Sequence, residues 1–107
     1  MMKSATELRT GVLLSVQRAL VGEVTPRMRF IGVEFSPQRM HIIVWHDGPV
    51  DESAREDFDA AVVTQIVSDF AWPDRGDPQT SFEFVRCDFP QRPNFRGELV
   101  YGRSEAR

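Results

Sequence analysis

The sequence predicts an α+β fold in which two helices pack on one face of a four-stranded, mainly antiparallel sheet, in the order α-β-β-α-β-β. Two segments repeat apolar residues about every four positions, as amphipathic helices do. Four shorter segments alternate in polarity or are rich in β-branched and aromatic residues, as strands do. The 107 residues suffice for one hydrophobic core but not for two. We therefore expect one domain, residues 1–107, with loose ends at 1–3 and 104–107.

The first helix is predicted near the start of the chain, where the sequence carries signals for both of its ends. Ser4 and Glu7 have the spacing of a capping box, in which a hydroxyl and a carboxylate satisfy backbone amides that lack a partner in the helix. Gly22 is placed to end the helix in a left-handed conformation, and Thr25-Pro26 favours an extended connection after it. The core stripe comprises Leu8, Val12, Val16 and Leu20.

A hairpin of two strands is predicted next. Arg29–Phe35 alternates in polarity, and Met40–His46 is rich in β-branched and aromatic residues. The turn Ser36-Pro37-Gln38 is too short for a crossover connection, so the two strands should pair antiparallel. One face of the first strand should carry Ile31, Val33 and Phe35, and the other should carry Phe30 and Glu34.

The second helix is predicted to begin around Asp51, whose carboxylate can cap the first backbone amides. Asp69 falls on the apolar side of a regular helix, which predicts that the last turn is distorted or frayed. Trp72-Pro73 should end the helix, and Asp74–Gln79 should form a polar loop. The core stripe comprises Phe58, Val62, Ile66 and Phe70.

Two further strands, Ser81–Phe89 and Gly97–Arg103, are predicted in the last third of the chain. In the final strand, Leu99 and Tyr101 should share a face because side chains alternate along a strand. The strand before it should place Phe82 and Phe84 on one face and Val85, Cys87 and Phe89 on the other.

Charge is distributed unevenly along the chain, although the net charge is only −3. Residues 47–88 contain eleven carboxylates and three arginines, whereas the segments on either side carry more basic than acidic residues. An acidic surface repels the phosphates of nucleic acids and attracts basic partners, so we expect no direct nucleic-acid binding. The alternative interpretation is a solvated surface that keeps the protein soluble.

The sequence offers no assembled catalytic, metal or cofactor site. His41 and His46 lie on one predicted strand, where alternation directs them to opposite faces and prevents them from acting on one substrate. Cys87 is the single cysteine and is expected to be a buried, unreactive thiol. Metal binding needs three or four convergent ligands, which these residues do not supply. We therefore predict no catalytic residue, no metal and no cofactor.

We expect a cytoplasmic protein without membrane contact. The longest apolar runs, such as Val12–Leu14 and Ile42–Trp45, are far too short to cross a bilayer. Polar residues interrupt the start of the chain, so we predict no signal peptide. A single cysteine excludes an internal disulfide framework and suits a reducing compartment.

Four segments follow one another in a characteristic order: Arg18–Pro26, the turn His46–Pro49 before an acidic helix, Ile66–Phe70 and Gly97–Tyr101. Together they resemble small bacterial immunity proteins of contact-dependent growth inhibition and related polymorphic toxin systems. The resemblance implies a cytosolic, non-enzymatic protein that binds and neutralises one cognate toxin domain. Such toxins are often nucleases with basic substrate channels.

The acidic segment is the predicted surface for such a partner, the C-terminal domain of the cognate toxin. A channel shaped for phosphates presents positive potential, which the second helix and its preceding loop could cover. Two alternatives remain: a small nuclease or hydrolase that uses His41 or His46, and a regulatory module that dimerises through its sheet edge. The oligomeric state stays open. The predicted partner-binding residues are Asp47, Asp51, Glu52, Glu56, Asp57 and Asp59.

Overall fold

Within residues 5–70 and 79–105, which a computed structural model describes, the chain forms two helices and one four-stranded mixed sheet. The predicted α+β class is confirmed. The first helix, α1, spans Ala5–Leu20, and the strands span Met28–Phe35 (β1), Arg39–His46 (β2), Gln79–Arg86 (β3) and Glu98–Gly102 (β4). The second helix, α2, has three segments: α-helical over Glu52–Phe58, π-helical over Asp59–Val63 and α-helical again over Thr64–Asp69.

The end of α1 and the start of α2 agree with their sequence signals. Gly22 follows α1 with a φ of +78°, a left-handed conformation that glycine adopts without strain. At the start of α2, the Asp51 carboxylate accepts a hydrogen bond from the backbone N–H of Ala54 at 2.9 Å. The predicted capping residue Ser4, the Trp72-Pro73 pair and most of the following polar loop lie outside the described residues. The helix α2 ends at Asp69, earlier than the predicted stop at Trp72-Pro73, and Phe70 already has a non-helical backbone.

The strands lie in the order β3-β2-β1-β4. The central strand β1 is antiparallel to both β2 and β4, whereas β2 and β3 are parallel. The sheet is therefore antiparallel in two of its three pairs. The parallel pair arises because α2 connects β2 to β3 and returns the chain to the end of the sheet at which β2 began.

Both faces of the sheet are covered. On one face, α1 and α2 enclose the larger core together with Ile31, Val33 and partly buried Phe35 of β1. On the opposite face, Phe95 from the segment before β4 lies edge-on to Phe30 and to Trp45, with ring centroids 4.9 and 5.4 Å apart. The predicted division of β1 into two faces is confirmed for its apolar residues.

The π-helical segment keeps the core stripe of α2 on one side of the helix. Residues that repeat every four positions drift by roughly 40° per repeat around an α-helix of 3.6 residues per turn. The wider turn over Asp59–Val63 offsets this drift, so the whole predicted stripe is buried. Asp69 accepts a hydrogen bond from Ser15 Oγ at 2.6 Å and pairs with Arg18 of α1. The main distortion thus lies in the middle of α2 and not in its last turn.

A bulge in β4 changes which face of the sheet its side chains occupy. The register against β1 shifts between Ile31 and Gly32, so Tyr101 pairs with Ile31 but Leu99 pairs with Gly32. Because Ile31 and Gly32 point to opposite faces, Leu99 and Tyr101 do as well, and the prediction that they share a face is wrong. The extra residue is Val100, which packs against the larger core with Tyr101.

The strand β3 ends earlier than predicted, at Arg86 and not at Phe89. Beyond Cys87, whose N–H donates to the His46 carbonyl, a side chain replaces the neighbouring strand as hydrogen-bond partner. The backbone N–H of Phe89 donates to Asp47 Oδ1 at 3.3 Å. This bond turns the chain away from the sheet, and the sequence pattern of alternation does not reveal it.

Arg29 of β1 is 1% exposed, and its guanidinium joins three parts of the chain. Its Nε and Nη2 atoms donate to the two carboxylate oxygens of Glu105 at 2.6 and 2.9 Å, and Nη1 donates to the carbonyls of Cys87 and Gln91. Arg103 also donates to Glu105, at 3.0 Å. These bonds, above all those from Arg29, lower the pKa of the Glu105 carboxyl to about 2. Glu105, in the chain end that we expected to be loose, is therefore anchored.

Truncating the core stripe of α2 should destabilise the protein. Phe58 and Ile66 are 3% and 0% exposed, so we expect Phe58→Ala and Ile66→Ala to lower the free energy of unfolding by about 3–5 and 2–5 kcal/mol. The control is Val67→Ala, which should change it by less than about 0.5 kcal/mol because Val67 is 43% exposed. Urea unfolding measures all three. A wild-type midpoint for Ile66→Ala would contradict the burial of this stripe.

The anchor between Arg29 and Glu105 should make stability depend on pH in the acid range. A carboxyl with a lowered pKa stabilises the fold above its unfolded pKa of about 4.3, and this contribution is lost as pH falls towards the folded value of about 2. Glu105→Gln should cost about 1–3 kcal/mol at pH 7, because Arg29 stays buried without its carboxylate.

Unfolding of the wild type and Glu105→Gln between pH 7 and pH 2 checks this expectation. The difference between the two should shrink as pH falls below about 4.3. Glu98→Gln is the control, since the pair between Glu98 and Arg9 is exposed and should contribute less than about 1 kcal/mol. A difference that is the same at pH 7 and pH 2 would contradict a role for the Glu105 charge.

Candidate functional site

Most described carboxylates outside the start of α2 form ion pairs with arginines. By contrast, the side chains of Glu52, Glu56, Asp57 and Asp59 form no hydrogen bond or ion pair among the described residues, and all four are exposed. The unpaired acidic side chains are therefore concentrated at the start of α2. The paired carboxylates are Glu34 and Glu83, which share Arg96, and Asp47 with Arg103, Asp69 with Arg18, Asp88 with Arg86, Glu98 with Arg9 and Glu105 with Arg29.

Unlike the other five predicted partner-binding residues, Asp47 forms an ion pair among the described residues. Its Oδ2 pairs with Arg103 Nη2 at 3.2 Å, and its Oδ1 accepts the hydrogen bond from Phe89 N–H. Its backbone N–H donates to the carbonyl of Arg27 at 2.8 Å. Asp47 therefore holds the turn that leads into α2, and its charge is already engaged.

The turn itself depends on glycine at position 48. Gly48 has a φ of +73°, and a Cβ atom there would lie 2.3 Å from Arg27 Nη1. Its N–H donates to Asp88 Oδ1 at 2.7 Å, and the neighbouring Arg86 pairs with the same carboxylate. Hydrogen bonds from Arg86 and then from Gly48 lower the pKa of Asp88. The direction in which α2 leaves the sheet is thus fixed by side chains from the end of β3.

The acidic residues at the start of α2 divide between two faces of the helix. Asp51, Ala54 and Asp57 are spaced three apart and lie on the face that looks towards the connection from α1 to β1. The opposite face carries the remaining three predicted residues, Glu52, Glu56 and Asp59. Both faces are acidic, and the first borders the α1–β1 connection.

A cleft of about 520 Å³ separates this face of α2 from the α1–β1 connection. One wall is formed by residues of Gly22–Met28 and the other by residues of Pro49–Phe58, with Phe84 of β3 below. Glu23 lines the cleft and has no side-chain partner among the described residues. Sequence reasoning missed both Glu23 and the cleft, although it singled out Arg18–Pro26 for the family resemblance.

His46 lies close to the cleft floor but is not available for chemistry there. It is 5% exposed, its Nδ1 lies 2.8 Å from the carbonyl oxygen of Gly48, and its ring is 5.8 Å from that of Phe84. Burial lowers the pKa of His46, so the ring is neutral at pH 7. His46 therefore acts as a packed core residue.

His41 lies on the opposite face of the sheet, as predicted, but its neighbours were not foreseen. Its Nδ1 lies 2.7 Å from Ser81 Oγ, and its Nε2 lies 3.5 Å from Glu83 Oε1. A serine, a histidine and a carboxylate in this order are the elements of a nucleophilic triad. The parallel pairing of β2 with β3 brings them together, and no spacing within the sequence announces that pairing. Arg96 also binds Glu83.

The described residues contain neither a metal site nor a helix that could span a membrane. Over residues 5–70 and 79–105, no group of three histidine, cysteine or acidic side chains is arranged to hold a metal ion. Cys87 is partly buried, with its Sγ 3.8 Å from Arg29 Nη1. In the same residues, no helix is long and apolar enough to span a membrane.

Comparison with known proteins places the chain in a family. No curated protein matches it. The family described as MafI2 immunity protein matches residues 9–105, which include both cleft walls, α2 and all four strands. This match covers most of the chain and confirms the predicted resemblance to small bacterial immunity proteins of polymorphic toxin systems. The chain therefore belongs to the MafI2 immunity protein family.

Proposed function

We propose that the chain binds the C-terminal domain of its cognate toxin, a nuclease, through the start of α2, and neutralises it in the cytoplasm without catalysis. Membership of an immunity protein family implies an immunity role and a cognate toxin partner. The observation that supports this binding surface is that Glu52, Glu56, Asp57 and Asp59 are exposed and have no side-chain partner among the described residues.

A nuclease is the toxin class that best complements this surface. An active site that accepts a phosphate backbone is lined with basic residues and presents positive potential. A surface of unpaired carboxylates accelerates encounter with such a channel and can occupy the place of the phosphates. Neutralisation then follows from blocking substrate access and requires no reaction.

Helix stability alone does not account for these charges. Asp51 caps the helix, and Glu52 lies in its first turn, where the positive end of the helix dipole stabilises an acidic side chain. This stabilisation falls off within the first turn, so it does not extend to Glu56, Asp57 and Asp59. Helix capping and the helix dipole therefore leave the acidic residues of the second turn and beyond without a role in helix stability, and we assign them to the toxin-binding surface.

Charge neutralisation on α2 should slow association with the toxin. The measurement uses the cognate toxin domain and follows association by stopped flow across a salt series. We expect Glu56→Gln/Asp57→Asn to lower the association rate constant about three- to tenfold at low salt. The difference should vanish as salt rises past physiological strength, where the Debye length is about 8 Å.

A matched control changes the net charge equally at another place. Gln17→Lys/Gln65→Lys alters it by the same amount at exposed positions of α1 and the second half of α2. If both double variants slow association alike, the effect belongs to the net charge and not to the start of α2. If neither does, the toxin binds elsewhere on the chain.

Catalysis is tested where the described residues bring a serine hydroxyl and a histidine together, at Ser81 and His41. We expect His41→Ala and Ser81→Ala to protect toxin-producing cells as well as the wild type does, because inhibition by occupancy needs neither residue. Growth assays with each variant give the answer, and purified chain incubated with RNA, DNA and ester substrates gives a second readout. Loss of protection in both variants, together with a hydrolytic activity that both abolish, would instead establish a serine hydrolase.

A further inference from the structure

We infer that the cleft between the α1–β1 connection and α2 receives one long basic side chain, an arginine or a lysine, from the toxin. This inference rests on the proposed function and names the chemical group that the surface recognises. Hot spots of protein interfaces are frequently arginines or aromatic residues inserted into such pockets. The cleft volume of about 520 Å³ falls within the range of about 300–1,000 Å³ for pockets that enclose small ligands.

The lining of the cleft matches a side chain that is apolar along its length and charged at its end. Its interior is apolar, and its rim carries carboxylates from both walls, with Glu23 on one side and Asp57 on the other. Arginine and lysine bury their methylene groups against apolar surface while the cationic group stays near water and acceptors. The apolar lining residues are Val24, Met28, Pro49, Val50, Ala54, Phe58 and Phe84.

The charges that face the cleft favour a cation over an anion. Glu23 and Asp57 have no side-chain partner among the described residues, and Asp51 uses only Oδ1 for the helix cap. Arg27 is the single basic residue in the lining, and its Nη1 is 3.3 Å from the carbonyl oxygen of Asp47. A guanidinium or ammonium group that enters meets up to three carboxylates, whereas an acidic side chain meets repulsion.

The two walls are held in place before any partner arrives. Arg103 joins the first wall to the turn that precedes the second, because its Nη1 donates to the carbonyl of Pro26 at 2.8 Å and its Nη2 pairs with Asp47 at 3.2 Å. Within the first wall, the N–H of Met28 donates to the carbonyl of Thr25 at 3.0 Å. A preformed cleft loses little conformational entropy on binding, so its contacts contribute more of their strength to affinity.

Filling the cleft with a side chain of the chain's own tests this assignment. Ala54 lines the cleft, whereas Ala60 is exposed on the same helix outside it, so Ala54→Leu and Ala60→Leu form a matched pair. With the same toxin domain, we expect Ala54→Leu to raise the dissociation rate at least tenfold. Ala60→Leu should stay within twofold of the wild type. Urea midpoints of both variants show that each is folded.

Single neutralisations provide a second, milder test. Asp57 faces the cleft and Glu56 does not, so Asp57→Asn should speed dissociation several-fold, whereas Glu56→Gln should affect only the association rate. Replacing each exposed arginine and lysine of the toxin domain by alanine should reveal one residue that couples with Asp57→Asn. We expect that coupling to exceed fivefold in Kd.

The possible outcomes distinguish an error in the cleft assignment from an error in the proposed function. A wild-type chain that does not bind the toxin domain refutes the proposed function itself. Wild-type binding with equal dissociation rates for Ala54→Leu and Ala60→Leu refutes only the cleft, as does the absence of coupling between Asp57 and every basic residue of the toxin. Coupling with an arginine or with a lysine identifies which of the two side chains enters.

Discussion

The buried guanidinium of Arg29 is the interaction on which the arrangement of the site depends. A charge with 1% exposure is tolerated only when its donors are satisfied, so Glu105 and the carbonyls that bind Arg29 must be in place in the folded chain. Glu105 in turn binds Arg103, which reaches the carbonyl of Pro26 and the carboxylate of Asp47. The buried pair, the first cleft wall and the turn before the second wall therefore belong to one network of hydrogen bonds.

The sheet topology determines which surfaces meet. Because α2 crosses from β2 to a parallel β3, its first turns lie at the end of the sheet where the α1–β1 connection also lies. This arrangement brings Glu23 to the rim of a cleft shared with Asp57, although the two are distant in sequence. The same parallel pairing creates the contact of His41 with Ser81 on the opposite face. One crossover thus produces both the shared cleft and the contact of His41 with Ser81.

Local features of the fold were readable from the sequence, and long-range ones were not. The β1 alternation, the Asp51 cap and the four-residue stripe of α2 are set by neighbours within one or two turns or a single strand. The β4 bulge and the early end of β3 depend on partners far along the chain. The same limit applies to Asp47. Its pairing with Arg103 cannot be seen in the spacing of residues, so the sequence groups it with the acidic residues of α2.

Replacing the unpaired carboxylates of α2 should also change the stability of the fold less than replacing the paired ones. Glu52, Glu56 and Asp59 are exposed and contact no partner in the described chain, so exchanging them leaves the fold nearly untouched. Asp47 and Glu105 hold the scaffold, and changing them disturbs it. Evolution can therefore alter the outer face of α2 by single steps while the scaffold stays constant. With the proposed binding surface on α2, such a chain can follow a changing toxin without a new fold.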